Sequence, residues 1–423
     1  MSPRPLPDRR QFLATAAATL AIPTILPRPV FGANDKVVTG HIGVRNQGAP
    51  NLRAFLELAS PAAVCDVDRD VLARAAKLME NGGVSRPATC GDYRKLLDRK
   101  DIDAVVIATP DHWHALMTIH ACQAGKDVYC EKPLSLTIRE GRAMVEAART
   151  HHRVVQTGSQ QRSEARFRQA CELVRSGKIG KVQTVLVGIP AVNWPPPPVP
   201  DSAPPAELDY DRWLGPAPQR PYNAKRVHYN FRFYWDYSGG QMTNFGAHHI
   251  DIAQWALGMD ESGPVATEGK ATFNKSKWFE VPETCRVYHA YPGDITLILG
   301  QEQKDIPEGV TFLGTQGRLF VDRDKLTSSP ENIAKLKLGA SNTHLYVSVN
   351  HHQNFLDCVK SRKRPVADVE IGHRSATVCH LGNIALRLGR RIQWDPSAEQ
   401  IVGDDQAAAM LSRPYRSPWT ISG

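Results

Sequence analysis

The sequence predicts a mixed chain: an α/β amino-terminal body with a doubly wound parallel sheet, then an α+β body whose mostly antiparallel sheet is covered by helices. Three observations predict it. Short apolar runs alternate with helical spacing between Val37 and Gly158. Glycines flank the first strand-to-helix junction, at Gly43 and Gly48. Beyond Gly158 the texture changes, and a strand-like stretch from Val265 to Leu338 lies between helical segments.

Element by element, the first body spans 36–158. Its strands are the runs Val37 to Ile42, Ala62 to Cys65, Ala104 to Ala108, Val128 to Cys130 and Val154 to Gln156. Each is short and apolar enough for a parallel strand buried on both faces. Helical spacing separates them at Leu52, Phe55, Leu56 and Ala59, and again from Val71 to Met79. A short amphipathic stretch follows around Leu116, Ile119, His120 and Gln123. The second body, 159–345, opens with a helix near Arg166–Ser176 and a strand near Lys181–Ile189. Trp194, Pro195 to Pro198 and Pro204-Pro205 form an excursion of polyproline character. Gly239-Gly240 opens a helix through Leu257, and Gly314-Thr315-Gln316-Gly317 between two apolar runs predicts a hairpin. Residues 346–423 read as carboxy-terminal helices, 349–362 and 372–389, and a tail packing back on the body.

Residues 1–32 have the pattern of a twin-arginine leader. Arg9-Arg10 precede a weakly apolar run from Ala14 to Leu26, interrupted by Pro23. Such a run is too short to span a bilayer, and the arginine pair is an address for export of folded cargo. The expectation is an exported protein of the periplasm or cell envelope, carried by that machinery, with no stable membrane span after processing. The formal net charge is +9, with no block of like charge and no nucleic-acid motif, so no nucleic-acid partner is expected. Eight cysteines are scattered without a Cys-x-x-Cys, which removes zinc-ribbon and dithiol-motif readings and leaves one disulfide open.

The junction Ile42-Gly43-Val44-Arg45-Asn46-Gln47-Gly48 has the shape of a dinucleotide loop. Gly43 and Gly48 take the first and third places of Gly-x-Gly-x-x-Gly, while Arg45 takes the second. A side chain there crowds a pyrophosphate or, through its guanidinium, contacts it; Asn46 and Gln47 complete the loop. Asp66 ends the second strand, 23 residues after Gly43. A carboxylate there accepts ribose hydroxyls and disfavours a 2′-phosphate, so NAD is preferred over NADP.

Three later segments carry chemistry. They are Thr109-Pro110-Asp111-His112-Trp113-His114, Glu131-Lys132-Pro133, and Gly239 to Asp251 with Asn244, His248 and His249. The first two follow the third and fourth strands and open at the carboxyl edge of the sheet, where ligands bind in such folds. Together these segments resemble the glucose–fructose oxidoreductase / inositol dehydrogenase / rhizopine-catabolism (Gfo/Idh/MocA) family over nearly the whole chain after the leader. The resemblance implies a Rossmann domain holding tightly bound NAD and a carboxy-terminal domain whose open sheet makes homodimers or homotetramers. It implies that Lys132 binds the reacting oxygen, and that His248 is base or proton relay. Asn244 stands where the family often has aspartate; it orients a hydroxyl but takes no proton. Thr109, Pro110, His112, His114 and Glu131 are expected along the cofactor, and Arg226, Asn244, His248 and His249 along a sugar or polyol. Neighbouring helical histidines diverge by about 100°, so no metal centre is expected.

Two chemistries compete. One is net transfer between a sugar, polyol or derivative and a nicotinamide. The other is glycoside cleavage through transient oxidation, elimination and re-reduction, which suits an exported enzyme and Asn244. A sugar-binding protein without catalysis is a third, disfavoured by the presence of Lys132 and His248.

Overall fold

The computed structural model describes residues 36–192 and 199–421. The arginine-pair leader and the Trp194–Pro198 part of the excursion lie outside the described residues. Residues from Lys36 onward form one compact unit.

Among the described residues the first sheet has six strands: β1 (Val38–Ile42), β2 (Ser60–Cys65), β3 (Ala88–Cys90), β4 (Ala104–Ile107), β5 (Asp127–Cys130) and β6 (Val155–Thr157). All pair in parallel, in the order β3-β2-β1-β4-β5-β6. The order reverses between β1 and β4, and a crevice opens outside their carboxyl ends. Side-chain caps start the helices between the strands. Asp68 accepts the Asp70 and Val71 N–H groups ahead of Arg69–Asn81, and Thr137 with Glu140 closes a capping box on Ile138–Thr150. Each such cap stabilises its helix by about 1 kcal/mol.

Two expectations change here. β3 is an added edge strand of three half-exposed residues, without an apolar run to announce it. The stretch around Leu116 is not amphipathic: in the helix Asp111–Gln123 every residue but His120 and Gln123 is buried. It lies against the rest of the protein on all sides, and an all-round apolar helix is a core helix.

The second sheet has nine strands: β7 (Val182–Ile189), β8 (Ala266–Phe273), β9 (Pro282–Tyr291), β10 (Ile295–Gln301), β11 (Gly309–Gly314), β12 (Gly317–Val321), β13 (Leu326–Ser329), β14 (Ile392–Asp395) and β15 (Gln400–Val402). Their order is β13-β12-β11-β7-β10-β9-β8-β14-β15, antiparallel except for β7 beside β10. The expected hairpin is β11–β12, with Val310 opposite Val321 and Gly314 opposite Gly317. The carboxy-terminal stretch has the expected helices, His351–Ser361 and Val369–Leu388, and a tail packed on the body, but between them it adds β14 and β15 to the sheet. The helix expected from Gly239 is interrupted at Phe245, giving Gln241–Asn244 and Gly246–Leu257.

Three helices, Ala165–Arg175, Gly246–Leu257 and Val369–Leu388, cover one face of this sheet and bury Val185, Val187, Val287, Leu297, Leu299 and Phe312. Alternation along the strands leaves Leu186, Ile298 and Tyr288 in register on the other face, where they are less buried. The helix Val369–Leu388 also packs on Ile138–Thr150 of the first body, so the two sheets share a core element. All eight cysteines are free thiols, which closes the disulfide left open by the sequence.

Candidate functional site

A cavity of about 330 Å³ fills the crevice at the β1/β4 reversal. Its floor is the loop after β1. Gly43 has φ +77°, and a Cβ there would lie 2.8 Å from the Ala108 carbonyl oxygen. At Gly48 a Cβ would stand 2.0 Å from the Gly43 carbonyl oxygen, so the helix Gly48–Leu58 can start this close to the strand only from glycine. Asn46 and Gln47 line the wall beside that helix's first turn, where backbone N–H groups favour a phosphate.

Asp66 sits at the wall as expected, with both oxygens engaged. Oδ2 accepts the Val44 N–H at 3.0 Å and Oδ1 the Asp68 N–H at 3.1 Å. Burial raises its pKa, against these hydrogen bonds. Arg45 does not turn into the phosphate loop. Its guanidinium reaches Asp68 Oδ2 at 3.4 Å and His228 Nδ1 at 3.1 Å, bridging the loop to the aromatic-rich segment across the crevice. Arg45 thus stays on the cavity wall, held there by two other wall residues, Asp68 and His228.

The other end of the cavity is built by Thr109, Pro110, Asp111, Glu131, Lys132 and Asn244. Lys132 Nζ donates to the Asn244 carbonyl oxygen at 3.1 Å and to its Oδ1 at 2.9 Å. Asn244 Nδ2 in turn donates to Gln241 Oε1 at 2.9 Å, and Gln241 Nε2 to the Ala191 carbonyl at 2.8 Å. This chain of amides fixes which atom of Asn244 faces the lysine. Asparagine here is an oriented acceptor that holds the ammonium without neutralising it. Removal from water pulls the Lys132 pKa down to about 8; Glu131 opposes that shift and Arg232 adds to it. Glu131 accepts Asn51 Nδ2 at 2.9 Å, and Asp111 accepts the Ser238 hydroxyl at 2.5 Å. Burial raises both carboxyl pKa values.

His248 lies in the helix Gly246–Leu257, behind the cavity wall rather than on it, with Nδ1 buried and without a hydrogen-bond partner. Its pKa falls well below the ordinary value, through burial first and then the Lys132 and Arg323 charges. Thr109 Oγ1 is a second buried polar atom without a partner.

Four other expected residues are spent on the scaffold, and their site roles are corrected. His112 Nε2 meets the Trp213 carbonyl at 3.0 Å, amid Trp113, Trp213 and Tyr237, and burial brings it down to about 4. His114 places Nδ1 2.8 Å from the Pro133 carbonyl and Nε2 2.9 Å from the Thr109 carbonyl. Two carbonyl acceptors require two N–H donors, so this ring is an imidazolium that ties the Lys132 turn to the Thr109 turn. Burial opposes that charge, but Cys130, Asp111 and the Pro133 carbonyl outweigh it and lift the pKa to about 10. His249 Nδ1 meets the Gly188 carbonyl at 2.8 Å and braces β7. Arg226 donates to the Pro221 carbonyl at 2.6 Å and reaches Asp201, beneath the Tyr234 ring, away from the cavity wall.

The wall also includes Phe231 and Arg232, from the aromatic-dense stretch between Tyr210 and Tyr237 where substrate contacts are expected, and, outside any expectation, Phe245 and Trp419. Trp419, five residues from the end, packs edge-on to Trp113 at 4.9 Å, with Arg94 over its ring. No local pattern marks a tail residue as the wall of a cavity. Among the described residues no group of three or more His, Cys, Asp or Glu side chains is placed to hold a metal ion, and no helix is long and apolar enough to cross a membrane.

Comparison with known proteins agrees with this geometry. Residues 38–159 match the family described as "Oxidoreductase family, NAD-binding Rossmann fold", and residues 191–421 match "Oxidoreductase family, C-terminal alpha/beta domain". A glycosyl hydrolase family 109 protein of Shewanella pealeana is 33% identical over 167 residues, covering 33% of this chain and 37% of the relative. One from Saccharopolyspora erythraea is 35% identical over 159 residues, covering 36% and 34%. The chain thus spans little more than a third of these relatives' length. Among solved structures, the WlbA dehydrogenase of Bordetella pertussis, in complex with NADH and UDP-GlcNAcA, is similar with a TM-score of 0.63. It is 18% identical, covering 85% of this chain and 99% of that one.

Proposed function

Because the chain belongs to the Gfo/Idh/MocA oxidoreductase family, we propose that it uses NAD in this cavity to oxidise or reduce a sugar, polyol or derivative. The observation that carries the reading is Lys132, an ammonium with a lowered pKa, fixed by Asn244 at the cavity wall beside the orphaned Thr109 hydroxyl. The residues fit a dinucleotide. The Gly43–Gly48 loop would receive the pyrophosphate, Asp66 the ribose, and Thr109, Pro110 and Glu131 would flank the nicotinamide. When bound, that group supplies the two-electron chemistry. Lys132 donates to the substrate hydroxyl oxygen in its charged form and accepts the hydroxyl proton in its neutral form. His248, held neutral by burial and neighbouring cations, offers Nδ1 as a second station for that proton. Asn244 keeps Lys132 aimed without pairing its charge, and burial brings the lysine pKa to about 8.

One consequence is a pH profile. With Lys132 near 8, the neutral amine gains population as pH rises. Then kcat/KM for alcohol oxidation rises through that pH and levels above it, while carbonyl reduction declines over the same interval. Initial rates in both directions check this; a flat profile removes Lys132 as the proton acceptor.

A second reading is redox-neutral glycoside cleavage, favoured by the family 109 relatives and by Asn244. Denaturing the native protein and identifying the released nucleotide tests NAD against NADP and tight retention. Release of NADP, or of no nucleotide, contradicts that cofactor assignment. Turnover of free sugars with net NADH formation supports the first reading. Aglycone release from aryl glycosides without net reduction supports the second.

The Leu186, Ile298 and Tyr288 stripe on the uncovered sheet face is read as a homo-oligomer contact. Light scattering on the eluting protein should give a dimer or tetramer, and Ile298→Lys should shift it to monomer. Arg9-Arg10 support export of the loaded, folded enzyme to the periplasm or envelope.

A further inference from the structure

Charge is unevenly matched along the cavity. At the loop end, Arg45 has Asp68 as partner. At the Lys132 end, Lys132 and Arg232 line the wall beside Glu131 and Asp111. Arg232 lines the wall between two rings, its guanidinium 4.5 Å from the Tyr229 centroid and 4.8 Å from that of Phe231. Its Nη1 donates to the Tyr229 carbonyl at 2.9 Å. Arg323 stands over the ring of Phe245, another wall residue. The charges of Arg232 and Arg323 both reach Lys132.

Among the described residues no ion pair includes Lys132, Arg232 or Arg323, whereas Arg142, Arg162, Arg220 and Arg374 each hold two carboxylates. The two acids at this end are already committed: Glu131 to Asn51, and Asp111 to Ser238. Burial pushes both towards the neutral form. Lys132 and Arg232 face one end of the pocket, and two like charges there favour an anion between them. A planar guanidinium held between rings is set up to take a carboxylate with two parallel hydrogen bonds. The cofactor's own pyrophosphate is a poor candidate for that anion, because the Gly43–Gly48 loop and its helix start lie at the other end.

We propose that this end of the cavity selects a substrate bearing a carboxylate, a sugar acid rather than a neutral sugar, with Arg232 as its principal partner and Arg323 as long-range support. The inference rests on the oxidoreductase reading above and narrows its substrate class.

The test is calorimetric and uses the full protein loaded with NADH. Glucuronate and galacturonate are titrated against glucose and galactose, with wild type, Arg232→Gln and Arg323→Gln. At least one hexuronate should bind about tenfold or more tightly than its hexose, as expected for a charge-assisted pair. Arg232→Gln should abolish that preference while NADH affinity stays within about twofold, and Arg323→Gln should reduce the preference partly. If Arg232→Gln does not fold, Arg232→Lys should retain a weakened preference. Equal binding of acid and neutral sugar overturns the inference, as does binding of no hexuronate by the NADH-loaded protein. Loss of NADH affinity in Arg232→Gln with hexuronate binding intact reassigns the residue to the cofactor and also overturns it. Failure of the wild type to bind NADH overturns the oxidoreductase reading instead.

Discussion

Lys132→Ala is expected to lower kcat by about 10²- to 10⁴-fold with the fold retained. The ammonium makes two hydrogen bonds, both to Asn244, and it lines an open cavity rather than a sealed core. Truncation leaves the Asn244 oxygen facing space that water can enter, so no buried group is stranded. The loss therefore falls on chemistry. Circular dichroism and denaturant midpoints should match wild type, while initial rates on any accepted substrate collapse. Asn244→Asp in the wild-type background moves in a different direction. A carboxylate 2.9 Å from Nζ favours the charged amine and carries the Lys132 transition to higher pH. Wild-type turnover in Lys132→Ala would remove the lysine from the reaction.

Arg162→Met should destabilise the protein by about 3–5 kcal/mol, since it strands a buried charge. Arg162 is 1% exposed. It donates to Asp251 at 2.7 and 2.9 Å and to Asp260 at 2.7 Å, and stacks on Trp255 with 5.0 Å to the centroid. Asp251 also accepts the Ser375 hydroxyl at 2.7 Å, so one cluster joins the segment after β6 to helices Gly246–Leu257 and Val369–Leu388. Without the guanidinium, the burial that already pushes the Asp251 pKa up is opposed only by the Ser375 hydrogen bond. A carboxyl whose folded pKa is raised destabilises progressively as pH climbs above its unfolded value. The variant's deficit should therefore be smallest in acid and grow towards neutrality. Asp251→Asn combined with Arg162→Met should recover part of the loss. Denaturant unfolding at several pH values reads all of this, and a deficit independent of pH would contradict the account.

Much of the architecture was legible because it is written in short-range pattern. Five of the six strands of the first sheet are apolar runs, and their alternation with helical spacing leaves few topologies open. The exceptions are instructive. β3 and β14 are three and four residues long, and both owe their place to pairing with a strand already formed. Asp111–Gln123 departs from an amphipathic pattern because its polar residues Asp111, His112, His114 and Thr118 are buried in the core.

Residue pattern alone carries the fold class, the glycine pair at the phosphate loop, Asp66 at the end of β2, and the candidacy of Lys132, Asn244 and His248. These depend on local conformation or on residue identity at a fixed place. Which polar atoms remain open to a ligand is set by packing across the chain. His112, His114, His249 and Arg226 find carbonyl oxygens on Trp213, Pro133 and Thr109, Gly188 and Pro221 respectively. Most of those acceptors lie far along the chain or across a turn. A buried donor takes whatever acceptor the packing brings to it, so spacing cannot tell a scaffold histidine from a site histidine. The same holds for charge: Arg45 and Arg232 look alike in sequence and both line the cavity, yet packing gives Arg45 a carboxylate and sets Arg232 between two rings.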